Sequence, residues 1–187
     1  MNQRDYKIVF LGPMGAGKTT AISAISTRPP VATEVRNTDL AAHGKASTTV
    51  ALDYGEVALD DGGTLRLYGV PGQSRFSFMW PMVGKGALGA VLLVDATRAD
   101  CLSGLDPFLD AFDSLFRASR AVVGVGRTDE PGSRQADDVT AHLAARGLAA
   151  PVFSVDVRQR DDVNLLLDVL FVQIEAQADT LRMEATP

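Results

Sequence analysis

The stretch Leu11-Gly12-Pro13-Met14-Gly15-Ala16-Gly17-Lys18-Thr19-Thr20, LGPMGAGKTT, follows the apolar run Ile8 to Leu11 and leads into a helix-like segment reaching about Ser26. It satisfies G-x-x-x-x-G-K-S/T in the context where that spacing has a mechanism, after a strand and before a helix. Glycines let the backbone curl so that successive N–H groups face phosphate oxygens, and the helix N-terminus adds positive potential. Lys18 reaches the β- and γ-phosphates and the Thr19 hydroxyl serves magnesium. The expected phosphate-binding set is therefore Gly12, Pro13, Met14, Gly15, Ala16, Gly17, Lys18, Thr19 and Thr20. A glycine-rich turn that merely joins strand to helix is the competing reading, and both flanks speak against it.

Outward from this loop, strand-length apolar runs alternate with helical periodicity, the pattern of an α/β layered fold. Lys7 to Leu11 is the first strand. Val50, Leu52 and Tyr54 on one side and Leu65 and Leu67 on the other flank the turn Asp60-Asp61-Gly62-Gly63, which predicts an antiparallel hairpin at one sheet edge. Ala87 to Val94, Ala121 to Val125 and Val152 to Val155 read as buried strands. Val163, Leu166, Leu167, Leu170, Phe171 and Ile174 repeat at helical spacing and predict a last helix. The first helix should stop before Pro29-Pro30. Pro29 to Thr48 then forms a polar, weakly periodic connection of a length that reads as a switch segment.

With 187 residues and 46% hydrophobic content, the chain suffices for one buried core, so a single domain over 1–187 is expected. Eighteen basic residues against twenty-three acidic ones give a net charge of -5 without a basic run, which argues against a nucleic-acid partner. No apolar run approaches the roughly 20 residues of a membrane span. Asn2 and the ending Glu184-Ala185-Thr186-Pro187 carry no lipidation signal, so a cytoplasmic protein without direct membrane insertion is expected. The one cysteine, Cys101, reads as a buried filler.

A second break follows the hairpin in Arg66-Leu67-Tyr68-Gly69-Val70-Pro71-Gly72-Gln73-Ser74-Arg75-Phe76. After a phosphate loop, Gly72 can bring its N–H to a γ-phosphate and Gln73 can orient the attacking water. An ordinary turn is the bland reading. Phe76, Phe78, Met79, Trp80 and Met82 are then too many large apolar residues for one helical face. Phe76 and Met79 are expected in the core, and an exposed Trp or Phe would mark a state-dependent partner surface.

The loop, a Thr before an antiparallel strand, the Pro-Gly-Gln break and the later Arg127-Thr128-Asp129 stand in the order of the Ras-like small GTPases, a resemblance covering almost the whole chain. It implies a P-loop NTPase three-layer sandwich around a mixed six-stranded sheet. LYGVPGQ resembles the bacterial MglA-like branch encoded beside Roadblock-domain proteins, where D-x-x-G-Q lacks its acid, and this implies a Roadblock-domain activator. Gly69 stands where that acid would help to hold magnesium. Gly126-Arg127-Thr128-Asp129 takes the place of N-K-x-D: Asp129 accepts from guanine N–H groups and Arg127 lies over the base, while Gly126 lacks the Asn side chain. Ser154-Val155-Asp156 takes the place of S-A-K, with the Val155 N–H meeting guanine O6. Helix capping competes as the role of Asp129 and is preferred for Asp156.

The resemblance thus implies GTP/GDP and Mg2+ as cofactors, the ion held by Thr19 and by Thr49, with Thr48 as runner-up. Asp53 shares a strand face with Thr49, but four residues of strand separate them by about 13 Å. It is therefore expected to be a solvated edge residue unless its strand slides. Without an acid at position 69 the Gln73 loop lacks a fixed anchor, so slow hydrolysis accelerated by a partner is expected. Gln73 positions the water and Arg75 is a lesser charge donor, with an exposed helix residue as its competing reading. Two other functions stay open. Val91-Leu92-Leu93-Val94-Asp95 would be a Walker B strand in a P-loop ATPase, provided another strand separates it from the first. A nucleotide-binding interaction module without turnover is the other.

Overall fold

Alternating burial builds the centre of the protein. The computed structural model describes residues 5–28, 31–36 and 49–184, and of 31–36, 49–51, 180, 181, 183 and 184 the backbone only. Strand β1 (Asp5–Leu11) sends Ile8 and Phe10 into one apolar cluster and Val9 and Leu11 into another, all fully buried. Burial on both faces is what a central parallel strand requires. The remaining strands are β2 (Val31–Arg36), β3 (Thr49–Ala58), β4 (Thr64–Gly69), β5 (Gly89–Asp95), β6 (Ala121–Gly126) and β7 (Val152–Ser154). Their order is β2-β3-β4-β1-β5-β6-β7, antiparallel from β2 to β4 and parallel from β4 onward.

Helices cover both faces. On one side α1 (Lys18–Ile25) and α6 (Arg160–Glu184) bury Ala21, Ile22, Ile25, Val163, Leu166 and Leu170 against Ile8, Phe10, Leu67 and Val91. On the other, Trp80 of α2 (Trp80–Gly84), Phe108 of α3 (Asp106–Ala111), Phe116 of α4 (Asp113–Arg117) and Leu143 of α5 (Ala136–Ala145) pack over Val9, Leu92 and Val123. Pro81 and Pro107 sit in the first turns of α2 and α3, where a missing N–H costs nothing. A reciprocal capping box between Gln135 and Asp138 starts α5. Among the described residues no helix is long and apolar enough to cross a membrane.

The expected three-layer sandwich, the hairpin and the last helix are all present. The sheet differs in one respect: a seventh strand, β2, lies outside the hairpin, so β3 is not the edge. Its sequence alternates Val31, Thr33 and Val35 with Ala32, Glu34 and Arg36, a period-two signal too short to stand out within a polar connection. The rest of that connection, 29–30 and 37–48, lies outside the described residues. The sheet order also decides the Walker B question, because β1 pairs directly with β5 and no strand stands between them.

The turn from β1 into the phosphate loop fixes the relation of loop to sheet. Gly12 has φ 134°, and a Cβ there would lie 2.2 Å from the Leu93 carbonyl oxygen of β5, a backbone atom that cannot yield. Gly12→Ala should therefore cost more than about 3 kcal/mol in chemical denaturation, and a loss under about 1 kcal/mol would contradict this packing.

Candidate functional site

Gly17, with φ 93°, precedes α1, and Lys18 lies buried beneath the loop. Its Nζ donates to the Gly12 carbonyl at 2.7 Å and to the Pro13 carbonyl at 2.8 Å. Burial pushes the ammonium down from 10.5 to about 8, and the Asp53 carboxylate pulls the other way. Beside it Thr19 Oγ1 donates to Asp53 Oδ2 at 2.7 Å. Asp53 is thus no solvated edge residue, and no strand slide is needed to bring it here. In the β3–β4 ladder Asp53 is the register partner of Gly69, and a Cβ on Gly69 would lie 2.8 Å from the Asp53 Cβ.

A cavity of about 440 Å³ opens on this side, bordered by Lys18, Thr19, Asp53, Gly69, Gly72 and Gln73. A Cβ on Gly72 would meet the Met14 nitrogen at 2.4 Å, so the break lies flat on the phosphate loop. Gln73 Nε2 donates to Met14 Sδ at 3.1 Å. The break is anchored after all: the Trp80 indole N–H donates to the Pro71 carbonyl at 2.9 Å, and the buried ring stacks on Phe108 with centroids 4.4 Å apart. Met79 is buried and Phe76 half-buried, as expected, whereas Phe78 and Met82 point outward at 46% and 47% exposure. Arg75 is exposed over the Phe76 ring and does not border the cavity. Thr49 begins β3 opposite Arg36, but its side chain lies outside the described residues, as does all of Thr48.

A second cavity of about 510 Å³ lies on the other side of the loop, bordered by Asp95, Arg127, Asp129, Val155, Val157 and Arg158 among others. Ser154 also lines it, while Gly15, Gly17 and Thr20 border both cavities. Arg127, with φ 60°, donates from its guanidinium to Asp95 Oδ2, and Asp95 Oδ1 accepts from the Thr97 N–H and hydroxyl. Arg127 is thus paired with Asp95 at the wall of this cavity. Asp95 is 8% exposed and lines this cavity, whereas Lys18 and Thr19 line the other. The Thr128 carbonyl accepts from Ser133 Oγ at 2.8 Å and Gln135 Nε2 at 3.2 Å, which sets the loop and leaves Asp129 exposed at the cavity.

Val155 lines the cavity, but its N–H does not face it: it donates to the Val125 carbonyl at 2.9 Å, one residue past the end of β7. The Asp156 N–H donates to Asp162 Oδ2 at 2.7 Å. Asp156 is not a helix cap. Its carboxylate takes the Arg158 N–H and guanidinium in a tight turn, and that pairing pulls it down to about 2. Among the described residues the Val157 N–H finds no protein acceptor, and its side chain reaches within 2.7 Å of a Cβ placed on Gly17. The available amide therefore sits two residues beyond the expected one, with Arg158 next to it. The expected strand Val152 to Val155 runs one residue past the observed end of β7 at Ser154. Asp53 was hidden differently: counting back from the pair Ala58↔Thr64 across the Asp60–Gly63 turn places it on Gly69.

A glycine-rich loop over a buried lysine, with a cavity on each side and a β4-β1-β5 sheet centre, defines a P-loop nucleotide-binding protein with the Ras-like strand order. The chain belongs to the family described as conserved hypothetical ATP binding protein, whose model matches residues 23–126. That stretch begins inside α1 after Thr19 and ends before Asp129, so it carries no choice of base. The chain is 29% identical over 101 residues to the uncharacterized protein MJ1339 of Methanocaldococcus jannaschii, covering 52% of this chain and only 56% of that protein. It is 23% identical over 172 residues to Ras-related protein Rab-18-B of Danio rerio, covering 90% of this chain and 78% of the relative. The G domain of the T. maritima FeoB iron transporter shares the fold, with a TM-score of 0.60 at 17% identity, over 94% of this chain and 99% of that one.

The buried ammonium sets a pH dependence. Its folded pKa of about 8 lies below the usual 10.5, so the unfolded chain holds the proton over that window and the unliganded protein gains stability as pH rises through it. Phosphate needs the charged form, so nucleotide binding takes up a proton there. Affinity should be flat up to about pH 7.5 and fall above about pH 8, and Lys18→Met should remove the slope; calorimetric titration across that range checks this.

Proposed function

We propose that the chain is a cytoplasmic guanine-nucleotide switch of one domain, residues 1–187, which hydrolyses GTP slowly and is accelerated by a protein partner. The observation that carries this reading is the placement of Asp129 in one cavity and of Gly72 and Gln73 in the other, on opposite sides of the Lys18 loop. A carboxylate only accepts, and guanine offers it N1–H and an exocyclic amine, where adenine offers an acceptor at N1. The Val157 N–H is the amide available to a base oxygen, with Ser154 and Val155 lining the wall. The relationship to a Ras-related protein and the likeness to a G domain support the same reading.

The Thr19 hydroxyl and the Asp53 carboxylate oxygen it donates to are hard oxygen ligands beside a phosphate site, a chemistry that fits Mg2+, and Thr49 is the proposed switch-side ligand. When bound, the ion offsets charge on the terminal phosphate oxygens. Lys18 donates to those oxygens, Gly72 can bring its N–H near them, and Gln73 positions the water. Gln73 must first leave Met14, which accounts for slow unaided turnover. Arg75 contributes less, from an exposed position. The LYGVPGQ form and the acid-free break support the MglA-like branch and a Roadblock-domain activator, for which the exposed Phe78 and Met82 offer contacts. The Gln73–Met14 contact also favours a second reading, a nucleotide-binding module that does not turn over.

Asp129→Ala should weaken GDP binding at least about tenfold, the equivalent of about 1.4 kcal/mol, and leave ADP binding nearly unchanged. Equal losses for both would remove Asp129 from the base site. Mass spectrometry of the nucleotide released from the purified protein checks the base independently, and adenine there would overturn the guanine reading.

A further inference from the structure

We propose that Asp53 is the acid of the divalent-cation site, supplied from the neighbouring strand to the place that Gly69 leaves open. The proposal rests on the nucleotide-switch reading above and names the residue by which that site holds its ion.

Three observations carry it. Asp53 Oδ2 lies 2.7 Å from Thr19 Oγ1, the hydroxyl that a magnesium ion would use. That separation is close to the roughly 3 Å edge of an octahedron with bonds of about 2.1 Å, so both oxygens can face one ion or its waters. Next, Asp53 occupies the position of an absent side chain: a Cβ built on Gly69 would sit 2.8 Å from the Asp53 Cβ and 2.9 Å from its Oδ2. The two residues are register partners in an antiparallel ladder, so their side chains would leave the sheet on the same face. An acid at both positions cannot fit; an acid at either reaches the same space. Third, Asp53 and Gly69 border the cavity that also contains Lys18 and Thr19, and the Asp53 charge is felt at the Lys18 ammonium.

A purely architectural role, Asp53 tying α1 to β3 through Thr19, predicts different behaviour. Asp53→Asn keeps an oxygen acceptor for the Thr19 hydroxyl and removes only the charge. The probe is Mn2+ bound to the protein–GDP complex, read by electron paramagnetic resonance, with GDP affinity in EDTA measured alongside. Asp53→Asn should weaken Mn2+ affinity at least about tenfold, the range seen when a group that orients a metal's ligands is lost, while GDP affinity in EDTA does not fall. The reciprocal exchange Asp53→Gly with Gly69→Asp should bind Mn2+ far more tightly than Asp53→Gly alone, because the acid returns from the other strand. Unchanged Mn2+ affinity in Asp53→Asn overturns the proposal, as does an exchange variant no tighter than Asp53→Gly. If the parent protein binds GDP neither with Mg2+ nor in EDTA, the nucleotide reading fails instead, which is a separate result.

Discussion

The whole carboxyl end of the sheet depends on keeping one ammonium out of water. A buried charge is costly unless its donors are used, and Lys18 satisfies two of its three through the carbonyls of Gly12 and Pro13. To present those carbonyls inward the loop must turn sharply at Gly12, and at that point it runs into the backbone of β5 with no room for a methyl group. The same curl turns amides outward and leaves the third donor for a phosphate. Loop shape, lysine burial and anion affinity are therefore one constraint expressed three times.

From that loop the site spreads by close backbone approach. Gly72 lies on Met14, and Val157 lies against Gly17, so the break after β4 and the turn after β7 both rest on the phosphate loop. One segment bounds the phosphate side and the other bounds the base side. The indole of Trp80 keeps the first in place through Pro71, while the same segment turns Phe78 and Met82 outward. A surface that a partner can touch is thus one short helix away from the residue that would place the water.

What the sequence made legible was what is local. The phosphate loop, the hairpin around Asp60–Gly63 and the apolar stripe of α6 are set by residues within a few positions of one another, and each is where it was expected. Errors came where position depends on pairing across space. Asp53 was measured along its own strand from Thr49, when the relevant neighbour was Gly69 on the next strand. Val155 is expected to give its N–H to a base, yet that N–H is already donated to the Val125 carbonyl of the neighbouring strand. The Arg127 pairing with Asp95 was not legible along the chain, because its partner comes from a different strand. β2 was missed because its alternation is brief and its partner strand is the one thing that makes it a strand.

The two departures from the Ras-like pattern then have a common form. Gly69 lacks the acid and Gly126 lacks the amide that would tie the base loop down, and each glycine is the register partner of an aspartate: Asp53 across the β3–β4 ladder, Asp95 across β5–β6. In the first pair the carboxylate reaches Thr19; in the second it is buried on Thr97 and holds the Arg127 guanidinium next to Gly126. Because register partners share a sheet face, a carboxylate on one strand can serve the space vacated on the other without moving the backbone. At Gly69 the acid opposite keeps a carboxylate in the same space and changes only the strand that supplies it; at Gly126 the acid opposite replaces a neutral amide and holds the base loop through Arg127 instead. A motif read along one strand registers such an exchange as a loss, whereas a motif read across the ladder registers it as a substitution.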